Sequence, residues 1–184
     1  MRIISGVYRG RILKSPLNLK TRPTSDRLRE TLFNILNPKI TSETRLLDLC
    51  AGTGAVGIEA LSRGAAFVTF VDKSRKACGL IEANLDLLEI PEEETEVVCA
   101  AAEDYVRRGR EETFDIIFFD PPYKNDYELI LRPLSDDKSN LLKDDGIFIA
   151  EHHAKTDLWD KIGELRRWRL LKQGDSCLSF YERS

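Results

Sequence analysis

Two short segments carry residue types whose spacing can do chemistry: Asp48-Leu49-Cys50-Ala51-Gly52-Thr53-Gly54 and Asp120-Pro121-Pro122-Tyr123. The first continues as Gly52-Thr53-Gly54-Ala55-Val56-Gly57, a G-x-G-x-x-G pattern. Glycine lets the backbone turn tightly and lets a ligand approach it closely. Alone the pattern is weak, because nicotinamide and flavin sites use it too. Two acids narrow it. Asp48 lies four residues before Gly52, where a carboxylate suits the cationic methionine end of S-adenosylmethionine better than a pyrophosphate. Asp72 lies 20 residues after Gly52, where an acid accepts from ribose hydroxyls. Nicotinamide enzymes share that acid, so Asp72 points to an adenosine ligand without saying which.

The second segment directly follows the apolar run Ile116-Ile117-Phe118-Phe119. Two prolines remove two backbone donors and stiffen the loop. Tyr123 offers a flat face for base stacking, worth roughly 1–3 kcal/mol. The Asp120 carboxylate and the Pro121 carbonyl are both acceptors. Together they can hold the two N–H bonds of an exocyclic amine. Such an amine is a poor nucleophile, because its lone pair is delocalised into the ring. Two acceptors favour the pyramidal form that aims the lone pair at a methyl-sulfonium. The expected reaction is an in-line methyl transfer, driven by positioning and electrostatics and needing no covalent enzyme intermediate. A plain proline-rich turn is the alternative. Its place after a glycine-loop strand and an acid-ended strand counts against it.

These segments need elements to hold them. Residues 45–50, 67–71, 96–99, 114–120 and 146–151 read as buried strands, and 55–63, 74–88, 103–108 and 127–134 as helices. Ala77, Leu80, Ile81, Leu85 and Leu88 recur at helical spacing, and Gly64 reads as a helix C-cap. Alternating strands and helices imply a parallel sheet covered on both faces. Ligands then bind beyond the carboxyl ends of the strands, at the switch point. Both chemical segments lie just after a strand. Residues 166–172 and 176–181 read as a closing antiparallel pair. Residues 2–13, broken by Gly6 and Gly10, read as an N-terminal β-hairpin or irregular antiparallel pair. Thr24 or Ser25 can cap a helix with Leu28, Leu32, Phe33 and Leu36 on one face, ended by Pro38. The expected class is α/β.

At 184 residues the chain is expected to form one domain, 1–184, with a basic N-terminal part at 1–38 and a core at 44–184. No apolar run approaches the roughly 20 residues of a membrane span, and residues 1–6 lack a signal-peptide stretch. The protein is expected in the cytoplasm, away from membranes. Four separated cysteines, Cys50, Cys78, Cys99 and Cys177, read as reduced, mostly buried thiols. His152 and His153 are adjacent and lack further ligands nearby, so no metal is expected. Trp159 and Trp168 read as packing residues and Glu92-Glu93-Glu94 as a solvated loop. The net charge of −3 divides into +7 over residues 1–29 and −10 over residues 30–184. A basic arm on an acidic body is a sign of phosphate contact. A solvated, charged hairpin fits the composition equally well.

Longer segments resemble a known family. Residues 47–65, LDLCAGTGAVGIEALSRGA, look like the cofactor motif of bacterial small-subunit ribosomal RNA guanine-N2 methyltransferases. The resemblance extends to Met1-Arg2-Ile3-Ile4-Ser5-Gly6 with Arg9-Gly10-Arg11, to residues 22–36, and to 115–123. The segments 59–65 and 22–24 are far more specific than either chemical motif. The resemblance implies a Rossmann-like class I methyltransferase modifying one guanine N2 amine in 16S ribosomal RNA, as a monomer acting on a small-subunit assembly intermediate. By position, Asp48, Ala51, Gly52, Thr53, Gly54 and Asp72 would contact S-adenosylmethionine, and Asp120 to Tyr123 would hold the guanine. Arg9, Arg11, Lys14, Arg22, Thr24 and Arg27 would meet RNA, with Thr24 and Arg27 closing over the cofactor. One departure stands out. Such enzymes often carry a polar residue beside the adenine after the third strand. This chain has Cys99-Ala100-Ala101-Ala102-Glu103 there, leaving the amides near Ala102, or Glu103, for that role.

The residues alone leave other functions open. DNA adenine or protein glutamine would suit the same two acceptors. A nicotinamide oxidoreductase would leave Asp120 to Tyr123 without a role. A non-catalytic RNA-binding module would leave Asp48, Asp72 and Asp120 unexplained.

Overall fold

A computed structural model describes residues 1–15, 26–108, 113–122, 126–136 and 139–184. Eight strands form one sheet among the described residues: β1 (Arg45–Leu49), β2 (Phe67–Asp72), β3 (Thr95–Cys99), β4 (Phe114–Phe119), β5 (Leu142–His153), β6 (Lys161–Ile162), β7 (Leu165–Gln173) and β8 (Ser176–Arg183). Their order is β3-β2-β1-β4-β5-β8-β7-β6. The first five run parallel, and β8 and β7 close the sheet antiparallel. The order reverses between β1 and β4, so the binding crevice of an open α/β sheet lies at their carboxyl ends.

The helices are α1 (Asp26–Leu36), α2 (Ala55–Ser62), α3 (Arg75–Leu88), α4 (Ala102–Arg107) and α5 (Asp126–Leu134). They cover both faces, which is why the parallel strands read as apolar runs. One core layer joins Leu28, Leu32 and Phe33 of α1 with Ile58 of α2, Ile81 and Leu85 of α3, and Leu46, Phe70 and Phe118 of the sheet. The other joins Tyr105 of α4, Ile130 and Leu131 of α5, and Leu47, Phe119 and Phe148. Gly57 permits the first layer's closest approach. A Cβ there would stand 2.3 Å from Phe70 Cε1.

The N-terminal arm departs from a regular hairpin. It is the irregular antiparallel pair: one bridge joins Arg2 and Ile12, the Ile3, Gly10 and Leu13 N–H groups donate across the arm, and the donors of residues 4, 5, 7 and 8 turn to α2. Glu59, wholly buried, accepts from the Ile4 and Ser5 N–H groups at 2.8 and 3.0 Å. Ser62 Oγ accepts from the Tyr8 N–H at 3.0 Å and donates to the Ser5 carbonyl. Gly6 sits at φ +84°, and a Cβ there would lie 1.6 Å from the Ser62 carbonyl oxygen. The 59–62 stretch of the recognisable motif thus clamps the arm to α2. Asn84 of α3 does the same further on, exchanging hydrogen bonds with the Lys14 backbone.

Other expectations need adjustment. The short β6 has too few residues to show a period. β5 begins at Leu142, earlier than the apolar run from Gly146 indicates. Cys78 and Cys177 are buried, whereas Cys50 is half-buried and Cys99 exposed. Trp159 and Trp168 are both exposed, with Trp168 packed 5.5 Å from the Phe180 ring. Gly64 follows α2 at φ +101°, as a C-cap glycine does.

Candidate active site

Side chains alternate across a strand. Leu47 and Leu49 pack in the α4–α5 layer, so Asp48 faces α2. Its Oδ2 accepts from the Gly57 N–H at 3.0 Å. Ala150 also packs in the α4–α5 layer, so Glu151 turns to the face of Asp48. Phe119 of β4 pairs with Ala150 of β5, which sets Asp120 and Glu151 side by side one residue further on. Asp48, Asp120 and Glu151 line one cavity of about 1040 Å³. Asp48 is 2% exposed and Glu151 8%.

A desolvated crevice with acids nearby disfavours the ionised forms of Asp48 and Asp120. Burial pushes the Asp48 carboxyl up to about 7; the Gly57 N–H opposes this and Asp72 adds to it. Burial, then Glu151 and Asp48, push Asp120 well above the usual carboxylate range. A group bringing positive charge or N–H donors would relieve that strain.

The glycine loop closes the other wall. Cys50 turns the chain out of β1 at φ +63°, and Gly52 and Gly54 follow at +59° and +76°. Asp72 Oδ2 accepts from the Gly52 N–H at 3.0 Å, tying the loop to the end of β2. Its Oδ1 accepts from the Ser74 N–H at 2.8 Å, and Ser74 caps α3. Ala51, Gly52, Thr53, Asp72 and Ala102 all line the cavity, as do Pro121 and Pro122. Gly54 does not; it starts α2, and a Cβ there would press on Ile81 and Phe70 at 3.3 Å. Tyr123 lies outside the described residues.

The basic residues divide. Arg9 and Arg27 are exposed. Arg11 is exposed too, but its Nη2 donates to the Leu87 carbonyl at 3.0 Å. Lys14 is exposed beyond its backbone clamp. Arg22 and Thr24 fall outside the described residues. Arg29, counted in the basic arm, is wholly buried; it donates to the Arg2 carbonyl and to Asp26 and lies 3.8 Å from Glu59. It therefore serves the fold.

Several lining residues were not read from the sequence. Glu151 had a visible signal, since it directly follows the apolar run Ile147-Phe148-Ile149-Ala150 as Asp120 follows Ile116 to Phe119. Met1 had none; it reaches the cavity because the arm folds back, with its sulfur 3.9 Å from Thr53 Oγ1. His152 also borders the cavity, but its Nε2 is 2.9 Å from Ser179 Oγ and its ring meets Tyr127 edge-on, away from Glu151.

The family model described as "Conserved hypothetical protein 95" matches residues 1–182. The chain belongs to this family. Relatives of this Conserved hypothetical protein 95 chain carry more explicit names. "Putative rRNA methyltransferase YlbH" of Bacillus subtilis is 38% identical over 185 residues, spanning 100% of this chain and 99% of that protein. "Ribosomal RNA small subunit methyltransferase D" of Haemophilus influenzae is 35% identical over 183 residues, spanning 98% and 91%. The solved "Putative methyltransferase yhhF" of Escherichia coli is 32% identical with a TM-score of 0.87, spanning 100% and 98%. SMU.776, solved in complex with SAH, is 18% identical with a TM-score of 0.67 over 83% of this chain and 48% of its own, a likeness of fold. The fold of this family member is that of the Rossmann-like, class I S-adenosylmethionine-dependent methyltransferases.

Proposed function

We propose that the chain transfers a methyl group from S-adenosylmethionine to the exocyclic N2 amine of one guanine in 16S ribosomal RNA. It would act as a monomer in the cytoplasm, on a small-subunit assembly intermediate, through one domain in which residues 1–38 dress a core at 44–184. The observation that carries this reading is the placement of Asp120 and its two prolines at a cavity walled by the glycine loop. The names of the relatives from Bacillus subtilis and Haemophilus influenzae support ribosomal RNA as the substrate.

The residues fit the cofactor. The cavity is of the size that ligand pockets have, about 300–1,000 Å³. Asp48 offers a carboxylate to the methionine ammonium, which favours its ionised form. Asp72 keeps lone pairs for ribose hydroxyls beyond the two backbone donors it holds. Ala102 opens α4 beside the cavity, so its backbone, or Glu103, stands where an adenine edge would need a partner. When bound, the cofactor supplies a methyl group on a cationic sulfur. Asp120 and the Pro121 carbonyl then hold the two N2 hydrogens and free the nitrogen lone pair, and Tyr123 stacks on the base. Asp120, with its affinity for a proton already raised, takes the proton that N2 sheds. Arg9, Arg11, Lys14, Arg22, Thr24 and Arg27 are the proposed RNA contacts.

Labelled S-adenosylmethionine offered with small-subunit particles, naked 16S RNA, DNA and protein tests the substrate. Label is expected in the RNA alone. Label in DNA adenine or protein glutamine, with none in RNA, would overturn it.

A further inference from the structure

Glu151 is the buried acid that the methyl-transfer reading leaves without work. It is 8% exposed, lies two residues before the end of β5, and lines the cavity beside Asp120. Adjacent strands stand about 4.8 Å apart, so the two carboxylates form a short row of acceptors along one wall. Guanine carries a matching row of donors, since its N1–H lies next to the N2 amine. We propose that Glu151 accepts the N1–H of the target guanine while Asp120 holds N2, making Glu151 the residue that selects guanine over bases with an acceptor at N1. This rests on the guanine-N2 reading above.

The neighbourhood favours Glu151 for this role. His152, the next side chain, is turned to Ser179 and Tyr127 on the opposite face. Asp48 is held by the Gly57 N–H, which accounts for one of its oxygens. A guanine edge brings donors to both carboxylates at once, N2–H to Asp120 and N1–H to Glu151. Adenine presents an N1 lone pair beside its amine, and a carboxylate facing that lone pair is left without a donor. Burial raises the effect, because a mismatched polar pair in a dry site discriminates far better than a missing methylene does. The raised proton affinity of Asp120 is in keeping with so close a neighbour.

The test compares two RNA substrates, one with guanosine at the target and one with 2-aminopurine riboside there. Both carry the exocyclic amine; only guanosine carries N1–H. Wild-type protein is expected to favour guanosine in kcat/KM by about 100-fold, as loss of a hydrogen bond to a charged group implies. Glu151→Gln, whose amide can donate to N1 of 2-aminopurine, is expected to shrink the ratio to below about tenfold. A fold defect alone would lower both rates together and leave the ratio unchanged. Equal wild-type rates on the two RNAs would overturn the proposal without any variant. So would an undiminished ratio in Glu151→Gln. No wild-type transfer to guanosine RNA would instead bring down the guanine-N2 reading itself, which separates the two failures.

Discussion

Asp48 and Asp120 are the residues where protonation and function meet. Asp120 is required by the proposed chemistry and little by the fold. Asp120→Ala is expected to lower kcat by at least about 100-fold, the scale of losing a group that acts at the reacting atom, while S-adenosylhomocysteine affinity in calorimetry stays within a few-fold. Full activity would contradict the assigned role. Asp48 makes a pH prediction. Its native carboxyl is raised to about 7, so the folded apo protein holds a proton that the unfolded chain releases near pH 4. The stability this group contributes is therefore present below about pH 4 and lost as pH rises to about 7. Ligand binding runs the other way, because the ammonium of the methionine end prefers the ionised acid. S-adenosylhomocysteine affinity should rise by about tenfold in all between pH 6 and pH 8, levelling off above pH 7. Asp48→Asn should bind more weakly with the slope gone. A flat wild-type profile would contradict that contact.

Among the elements, α2 has two duties. Its first turn supports the glycine loop, and its remaining face clamps the N-terminal arm through Glu59 and Ser62. Arg29 and Arg63 both pair with Glu59. Glu59→Ala would take one of two carboxylates from the buried Arg29 guanidinium, leaving Asp26, and would free the arm. Urea denaturation is expected to show about 3–5 kcal/mol lost, the usual effect of breaking a buried pair from one side; a loss under about 1 kcal/mol would mean that the clamp does little. The same clamp explains what the sequence hid. The parallel core was legible because strands buried on both faces must be apolar throughout, and helices between them show their period. The chemical loops were legible because glycines and acids at strand ends break those runs. The arm's irregular antiparallel pairing was legible from its alternation and glycines, but its seat on α2 was not, because the partners there are side chains more than 50 residues away, which no local pattern encodes. Glu151 shows in the sequence only as an acid after the apolar run Ile147 to Ala150, a signal with no motif around it to mark it as part of a site.

For the whole molecule, charge distribution decides how a chain of net −3 can meet RNA. The +7 of residues 1–29 overstates the free charge, since Arg29 is buried in the clamp. Arg9 stays exposed. Arg9→Ala should weaken RNA binding and lower the salt slope of log K by about 0.7, the value for one single-strand phosphate contact, with cofactor affinity unchanged; an unchanged slope would remove Arg9 from the interface. No helix among the described residues is long and apolar enough to cross a membrane. Methylation of one guanine amine in 16S RNA is read out by mass spectrometry of that RNA's nucleosides from cells with and without the gene. Deleting the gene is expected to remove a single N2-methylguanosine, restored by the wild-type gene and not by the Asp120→Ala variant. An unchanged N2-methylguanosine content, or loss of a different methylated nucleoside, would contradict it.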